Sequence, residues 1–406
     1  MVTLQMGSKT WVLLNSERVV TEIIAKRGAI THERPYFPIA GGLVSQDRRT
    51  VLRQTAEWTE DRRVMHQLLN GSALKIYGEW QEIESLQLLA AYVHRPCKWY
   101  KHHNWYSNSV VHRIVLGKRL QKSSSELAAF ELATRQFINS INGSAVDFFP
   151  HLAKLPKVFQ FWRRYWEKQG QSHHDIYRTW WAPVKQAIAN GTAPPSFVRD
   201  VLLHGDTKYT GDDAEAMWLA MGIIAAGSDN PRMTLNTFVM STLCHPHILR
   251  KARQEIDRIC SNSHTALRLP RIDDMPCLPY ISALIKELLR WRPVVPLIPQ
   301  HQLTQDLEFE GYHFPRGTDF VINSIAVCAE VEEPGDFRPE RWLDGHENEG
   351  NITHGLWQFG GGRRICVGYK VAHQALFVAI ARLCYCFDFE AVRVLSSLST
   401  FFNVQC

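Results

Sequence analysis

The chain has 406 residues, with 46 Lys and Arg set against 40 Asp and Glu, for a formal net charge of +6. Its 45% apolar and 21% charged residues are a globular composition, which excludes a disordered, collagen-like or disulfide-scaffold protein. So small a cationic surplus leaves no nucleic-acid footprint. The nine cysteines, an odd number without a C-x-x-C pair, point to a reducing compartment and away from structural zinc.

In chain order, Val2–Met6 and residues 10–14 read as two strands around a turn at Gly7-Ser8-Lys9. Near-helical apolar spacing predicts a helix over 48–69, a second over 79–92 with Ile83, Leu86, Leu89 and Ala90 on its apolar stripe, and a third over 126–141. The stretch 147–170 mixes aromatics with bases and is expected to form a half-buried amphipathic helix rather than a membrane-surface one. After a loop at 191–196, residues 211–243 read as one long helix holding Pro231, a distortion in an apolar helix that marks a place to look for function. A helix over 278–291 ends at Arg292-Pro293. Short strands are expected at 294–298, 307–309, 312–314 and 319–322, then a polar loop over 344–353, a glycine cluster, and a last helix from about Gly368 with Val371, Ala375, Ala379 and Leu383 on one stripe. The change near residue 293 is a change of lobe inside one domain, a helix-rich lobe followed by a smaller β region. A bilayer span needs about 20 apolar residues, and the longest candidate, 217–227, falls short.

The chemistry concentrates in Phe359–Gly368, FGGGRRICVG. Consecutive glycines let the backbone press against a planar ligand. Arg364 is a forked cation suited to a carboxylate. Cys366 sits ahead of a helix, where free N–H groups and the positive helix end favour a thiolate able to hold a metal. No G-K-[ST] follows, which argues against a phosphate loop.

The combination F-x-x-G-x-R-x-C-x-G resembles the haem-binding signature of the cytochrome P-450 monooxygenases, with its fixed positions at Phe359, Gly362, Arg364, Cys366 and Gly368. Glu287-Leu288-Leu289-Arg290 is similar to the family's E-x-x-R, and Pro339-Glu340-Arg341-Trp342 to its PERF segment. The resemblance implies a buried triad of Glu287, Arg290 and Arg341, and the i,i+3 spacing puts the first two on one helix face. Trp58 and Arg62 resemble the W-x-x-x-R pair, and His301 the position ahead of the next strand, both of which bind haem propionates in the family. Residues 294–298 resemble the strand flanking the substrate pocket, with Val295, Leu297 and Ile298 as lining candidates beside Ala226.

Two departures stand out. The family's [AG]-G-x-[DE]-T reads Ala226-Gly227-Ser228-Asp229-Asn230 here. Asp229 and Asn230 are the candidate proton-relay residues, but an amide does not reproduce a hydroxyl's donor–acceptor behaviour. The family's microsomal anchor and proline-rich hinge have no counterpart upstream, and the residues after Glu390 do not resemble its closing β-hairpin, so the chain reads as one shortened at both ends.

The resemblance therefore implies an α+β haem-thiolate enzyme of fungal type in which Cys366 is the axial iron ligand. It implies that O2 and two electrons from NADPH, passed through the flavins of a cytochrome P-450 reductase docking near Arg363, Arg364 and Lys370, oxidise an apolar small molecule in secondary metabolism. Full-length members sit on the cytosolic face of the endoplasmic reticulum membrane. The rival expectations are a non-oxygenating haem-thiolate enzyme (isomerase, dehydratase or peroxygenase), suggested by Asn230, and an inactive shortened product.

Overall fold

The computed structural model describes residues 1–69, 71–120, 125–204, 208–261, 267–343, 351–391 and 404–405. Strands β1 (Val2–Met6) and β2 (Lys9–Leu14) form an antiparallel hairpin turned at Gly7. Then come α1 (Glu17–Val20), capped by Ser16 and continued as a π-helical turn over Thr21–Ala25, and a second π-helical segment at Pro38–Val44. The helical lobe comprises α2 (Thr55–Met65), α3 (Gly71–His94), α4 (Trp99–Leu116), α5 (Ser125–Ser140), α6 (Ala145–Phe148), α7 (Arg163–Ala189), α8 (Asp213–Cys244), α9 (Pro246–Cys260) and α10 (Pro279–Trp291). Next follow β3 (His301–Gln302), β4 (Leu307–Phe309), β5 (Tyr312–Phe314), β6 (Asp319–Ile322), α11 (Ser324–Cys328), α12 (Tyr369–Cys386) and a pair of two-residue strands, β7 (Glu390–Ala391) and β8 (Val404–Gln405).

The main sheet runs β1-β2-β6-β3, with β2 and β6 parallel (Trp11 opposite Asp319) and β3 antiparallel to β6. One face buries Val12, Leu14, Phe320 and Ile322 against Val19, Val20, Ile23 and Ile24. The larger core lies among α3, α4, α8, α9, α10 and α12. Helix α8 opens on a capping box in which Asp212 and Glu215 each bond the other's backbone amide, and it runs unbroken through Pro231. It approaches α4 so closely at Gly227 that a Cβ there would lie 2.8 Å from Val111.

Several expectations need correcting. The helix drawn over 48–69 begins only at Thr55. Ahead of it the chain turns inward, because Arg53 pairs with Asp61 (3.1 Å) and Glu215, and Arg49 stacks on Phe137 (3.8 Å) while donating to the Tyr177 hydroxyl. The helix over 79–92 is longer, and its expected apolar stripe faces outward at Ile83, Leu86 and Ala90, with only Leu89 of the four packed on the core. Ile83 and Leu86 are 42% and 44% exposed, whereas Gln81, Glu84 and Ser85 are buried. Their partners explain the inversion: Arg119 reaches Glu84 at 2.9 Å, Arg382 donates to the Ser85 hydroxyl, and Gln81 donates to the Val371 carbonyl. Helix α4 has no counterpart among the expected elements, since its buried face carries His103, Ser107, Asn108, Ser109 and His112 and so masks the apolar period.

The helix expected over 147–170 is broken. Pro150 and Pro156 lead into short 3-10 turns, and the helix starts only at Arg163. That leaves Val158 81% and Phe161 90% exposed. The strand expected at 294–298 reduces to a single bridge, Leu297 with Asn323, beside the Ile298 amide bonding the Ile322 carbonyl. Its Pro296 has no N–H to give to a ladder. The last helix is buried on nearly all sides from Ala375 to Cys384 instead of along one stripe. Of the polar loop, residues 344–350 lie outside the described residues, as do 392–403 of the carboxyl end. Among the described residues no helix is long and apolar enough to cross a membrane.

Candidate active site

The glycine cluster folds into a loop closed on itself: the Cys366 amide donates to the Phe359 carbonyl at 2.8 Å. Gly362 takes φ +57°, and a Cβ there would lie 2.4 Å from the Ile24 carbonyl. Only glycine lets the loop lie this close to the π-helical turn over Thr21–Ala25. Phe359 packs its ring against the large core behind the loop.

The Cys366 side chain is exposed and yet is surrounded by protein, which places it on the wall of an interior hollow. Burial pushes its thiol pKa up; the Gly368 amide and the Arg62 charge pull the other way without prevailing. The thiolate bias expected from the helix end is thus present and outweighed, and a bound cation would reverse the balance.

Beside the loop, cations gather. Arg364 donates from Nε to the His32 carbonyl (2.8 Å) and from Nη1 to the Arg53 carbonyl (3.1 Å), and its plane lies 4.0 Å from the centre of the Trp58 ring. Arg62, one turn along α2 from Trp58, donates to the Ile365 carbonyl and to His66 Nε2. His301 engages the Thr31 carbonyl through Nδ1 at 2.9 Å. Arg34, a residue that carried no motif, is buried here as well; it spans the carbonyls of Pro299 and Val51. The acid facing them is Glu33, 4.0 Å from Arg364.

The surplus is legible in the electrostatics. Burial and the neighbouring Arg364 lower Arg34 to about 9, burial lowers Arg364 to about 10, and burial with Arg34 holds the His301 imidazole well below its ordinary range. Two buried nitrogens, Arg364 Nη2 and His301 Nε2, have no hydrogen-bond partner. Arg364 Nη2 is thus an unsatisfied donor on a buried cation, and His301 Nε2, with Nδ1 donating to the Thr31 carbonyl, is an unsatisfied acceptor on a neutral ring; both are costly. A group bearing two carboxylates would give Arg364 Nη2 its missing acceptor, would offset the surplus charge of Arg34 and Arg62, and would favour a proton on His301 Nε2.

Glu287 is fully buried and held on all sides. Arg290 grips it with two bonds of 2.8 Å, and Arg341 Nε adds one at 3.2 Å. The Arg338 amide and Trp342 Nε1 supply two more, at 2.9 Å each. Arg290 also donates to the carbonyls of Cys328 and Pro334, so the cluster pins the segment leading to the cysteine loop onto α10.

On α8, Ala226 and Asn230 are exposed one turn apart, although the helix packs against α4, α7, α9, α10 and α12. Asn230 donates its amide to the Ala226 carbonyl at 3.2 Å. Asp229 is turned to Arg232, whose Nε lies 3.1 Å away and whose Nη1 donates to the Tyr100 hydroxyl on α4 (2.8 Å). Of the pocket candidates beyond residue 293, Leu297 is exposed, Val295 half-buried and Ile298 buried.

A cysteine on an interior hollow, a buried cation cluster short of acids and a long helix with exposed Ala226 and Asn230 are the features a haem-thiolate oxidoreductase requires. The comparisons agree. The family model described as Cytochrome P450 matches residues 1–401. Cytochrome P450 monooxygenase 58 of Postia placenta is 32% identical over 396 residues, which cover 94% of this chain and 74% of that protein. Cytochrome P450 monooxygenase fogE of Aspergillus ruber is 29% identical, covering 98% and 76%. A zebra fish cytochrome P450 solved with progesterone shares the fold at TM-score 0.77 and 22% identity, over 96% of this chain and 90% of that one.

The chain belongs to the cytochrome P450 family, with the α+β fold and the haem cofactor that membership entails. It is an oxidoreductase of the monooxygenase class. When bound, the haem supplies the redox chemistry that amino-acid side chains lack. Trp58, Arg62, Arg364 and His301 would hold its carboxylates and Cys366 its iron.

Proposed function

We propose that this enzyme oxidises an apolar small molecule of fungal secondary metabolism with O2 and two electrons from NADPH, received through the flavins of a cytochrome P-450 reductase. The observation that carries the reading is the position of Cys366, on the wall of an interior hollow and ahead of an exposed basic set (Arg363 and Lys370) on which an acidic flavoprotein surface can dock. Asp229 and Asn230 take the part of the proton relay: Asn230 holds water or oxygen through its free amide hydrogen and carbonyl, and Asp229 passes protons to it on swinging away from Arg232, its partner in the resting structure. Val295, Leu297, Ile298 and Ala226 give the pocket an apolar wall. The exposed Val158, Phe159, Phe161 and Tyr165, interleaved with Lys157, Arg163 and Arg164, suit contact with an anionic membrane face such as the cytosolic side of the endoplasmic reticulum.

The test is the haem-loaded chain mixed with NADPH, purified reductase and carbon monoxide. A ferrous–CO complex with a thiolate-type Soret band, absent when the reductase is omitted, is the expected result; haem that binds fully and never gives that band overturns the reading. Asn230 in the place of the family's threonine favours a second reading, a non-oxygenating haem enzyme. Labelled dioxygen separates the two once a substrate is found, because only the monooxygenase transfers label to product.

A further inference from the structure

A cavity of about 380 Å3 lies between two chain segments. Tyr36, Ile39 and Leu43 form one wall, and Pro150, Ala153 and Trp162 the other. The two walls belong to segments with little regular structure, the π-helical turn over Pro38–Val44 and the proline-broken turns after Phe149. One buried carboxyl group fastens them at their roots. Asp147, in α6 and three residues ahead of Pro150, is fully buried, and its Oδ1 accepts the Ile39 amide of the opposite wall at 3.2 Å. Its other oxygen, Oδ2, is buried with no hydrogen-bond partner.

The same spot receives the tip of the β1–β2 hairpin. The Ser8 amide and hydroxyl both donate to the Phe148 carbonyl, at 3.0 and 2.9 Å, and Lys9 donates to the Tyr36 carbonyl at 3.4 Å. Lys9 is the cation facing Asp147, yet among the described residues the two form no ion pair within 4.0 Å. Lys9 also faces Asp319 of β6, which is occupied by Gln302 at 2.9 Å. From the first wall Tyr36 faces Asp147 and is itself faced by Asp47 and Arg163.

We propose that Asp147 is a proton-operated clasp, holding the two walls of this cavity together when neutral and letting them part when ionised. A neutral carboxyl can be buried on a single amide bond at modest cost. A carboxylate with one oxygen unpaired cannot: the Ile39 amide and Lys9 favour it, burial outweighs them, and the charge gains by admitting water between the walls. Burial places the Asp147 pKa at about 6, against the pull of the Ile39 amide and Lys9, from an ordinary value of 3.8. The closed form is therefore fully favoured below the ordinary value and loses its advantage as pH rises through about 6. Ionisation above about pH 6 therefore weakens the fastening, and mild acid strengthens it.

Hydrogen exchange at the Ile39 amide reads the clasp directly, in the full chain and with no need of substrate. Corrected for intrinsic exchange, its protection falls roughly tenfold per pH unit approaching pH 6 and then levels off. Asp147→Asn keeps the acceptor without the charge and makes protection independent of pH. Lys9→Met removes the cation that favours ionisation and moves the levelling point to higher pH; this variant serves if Asp147→Asn does not fold. Asp319→Asn is the control, because burial raises Asp319 to about 6 as well, and it leaves the Ile39 profile in place. The proposal is overturned if wild-type protection is flat from pH 5 to 7, if Asp147→Asn keeps the wild-type profile, or if the profile follows Asp319 instead.

Discussion

At single residues, two opposing effects meet on one sulfur. The loop and helix end favour a Cys366 thiolate, and burial opposes it, so the side chain waits as a thiol that a metal cation converts to a ligand. Cys366→Ser is expected to leave the cation cluster able to take haem while the ferrous–CO complex loses its thiolate-type Soret band; an unchanged spectrum would show that this sulfur is not the ligand. Glu287 is the residue on which the frame depends most. Glu287→Gln leaves Arg290 and Arg341 buried without their acid, a kind of loss that costs about 3–5 kcal/mol, to be read from denaturant midpoints. A change under about 1 kcal/mol, the range of exposed pairs, would refute that role.

Among the elements, α3 and α8 make opposite demands. On α3, Ile83 and Leu86 face outward while Gln81, Glu84 and Ser85 face inward, so Ile83→Lys with Leu86→Glu should stay within about 0.5 kcal/mol of wild type. Arg119→Ala, which strips the fully buried Glu84 carboxylate of its 2.9 Å partner, should cost several-fold more. A periodicity-based orientation predicts the reverse ranking, and urea titrations of the two variants decide between them. On α8 the close approach to Val111 leaves no room at position 227; Gly227→Ala is expected to lose about 1–3 kcal/mol through overpacking, or else to move α4 measurably away.

Over the whole molecule, buried histidines set the acid limit of stability. Burial lowers His103, His112, His173 and His373 to about 4 each. Their folded values lie below the ordinary 6.5, so the unfolded chain binds more protons as pH drops beneath that value. The stability they protect is complete above about 6.5 and is lost as pH falls toward 4. The urea midpoint should fall steeply between those limits, and His112→Gln should shallow the slope by close to one proton. The exposed aromatic segment gives a second molecular-scale expectation: Phe159→Ser with Phe161→Ser weakens binding to anionic lipid vesicles and leaves the denaturant midpoint unchanged, since both rings are already in water.

The sequence alone determined the cysteine loop, the E-x-x-R and PERF segments, the long helix and the short strands at 307–309, 312–314 and 319–322, because each is written in residues whose local chemistry is distinctive: glycines that permit a turn, charges at helical spacing, β-branched and aromatic runs between prolines. Tertiary structure decided what depends on partners far along the chain. The outward stripe of α3 follows from Arg119 and Arg382, and the hidden helix α4 from polar groups satisfied by other helices. The place of Arg34 among the cations follows from carbonyls more than 260 residues away. Burial is a property of the assembled molecule: a polar side chain is put inside when a distant group answers its hydrogen bonds, and no local pattern records that answer.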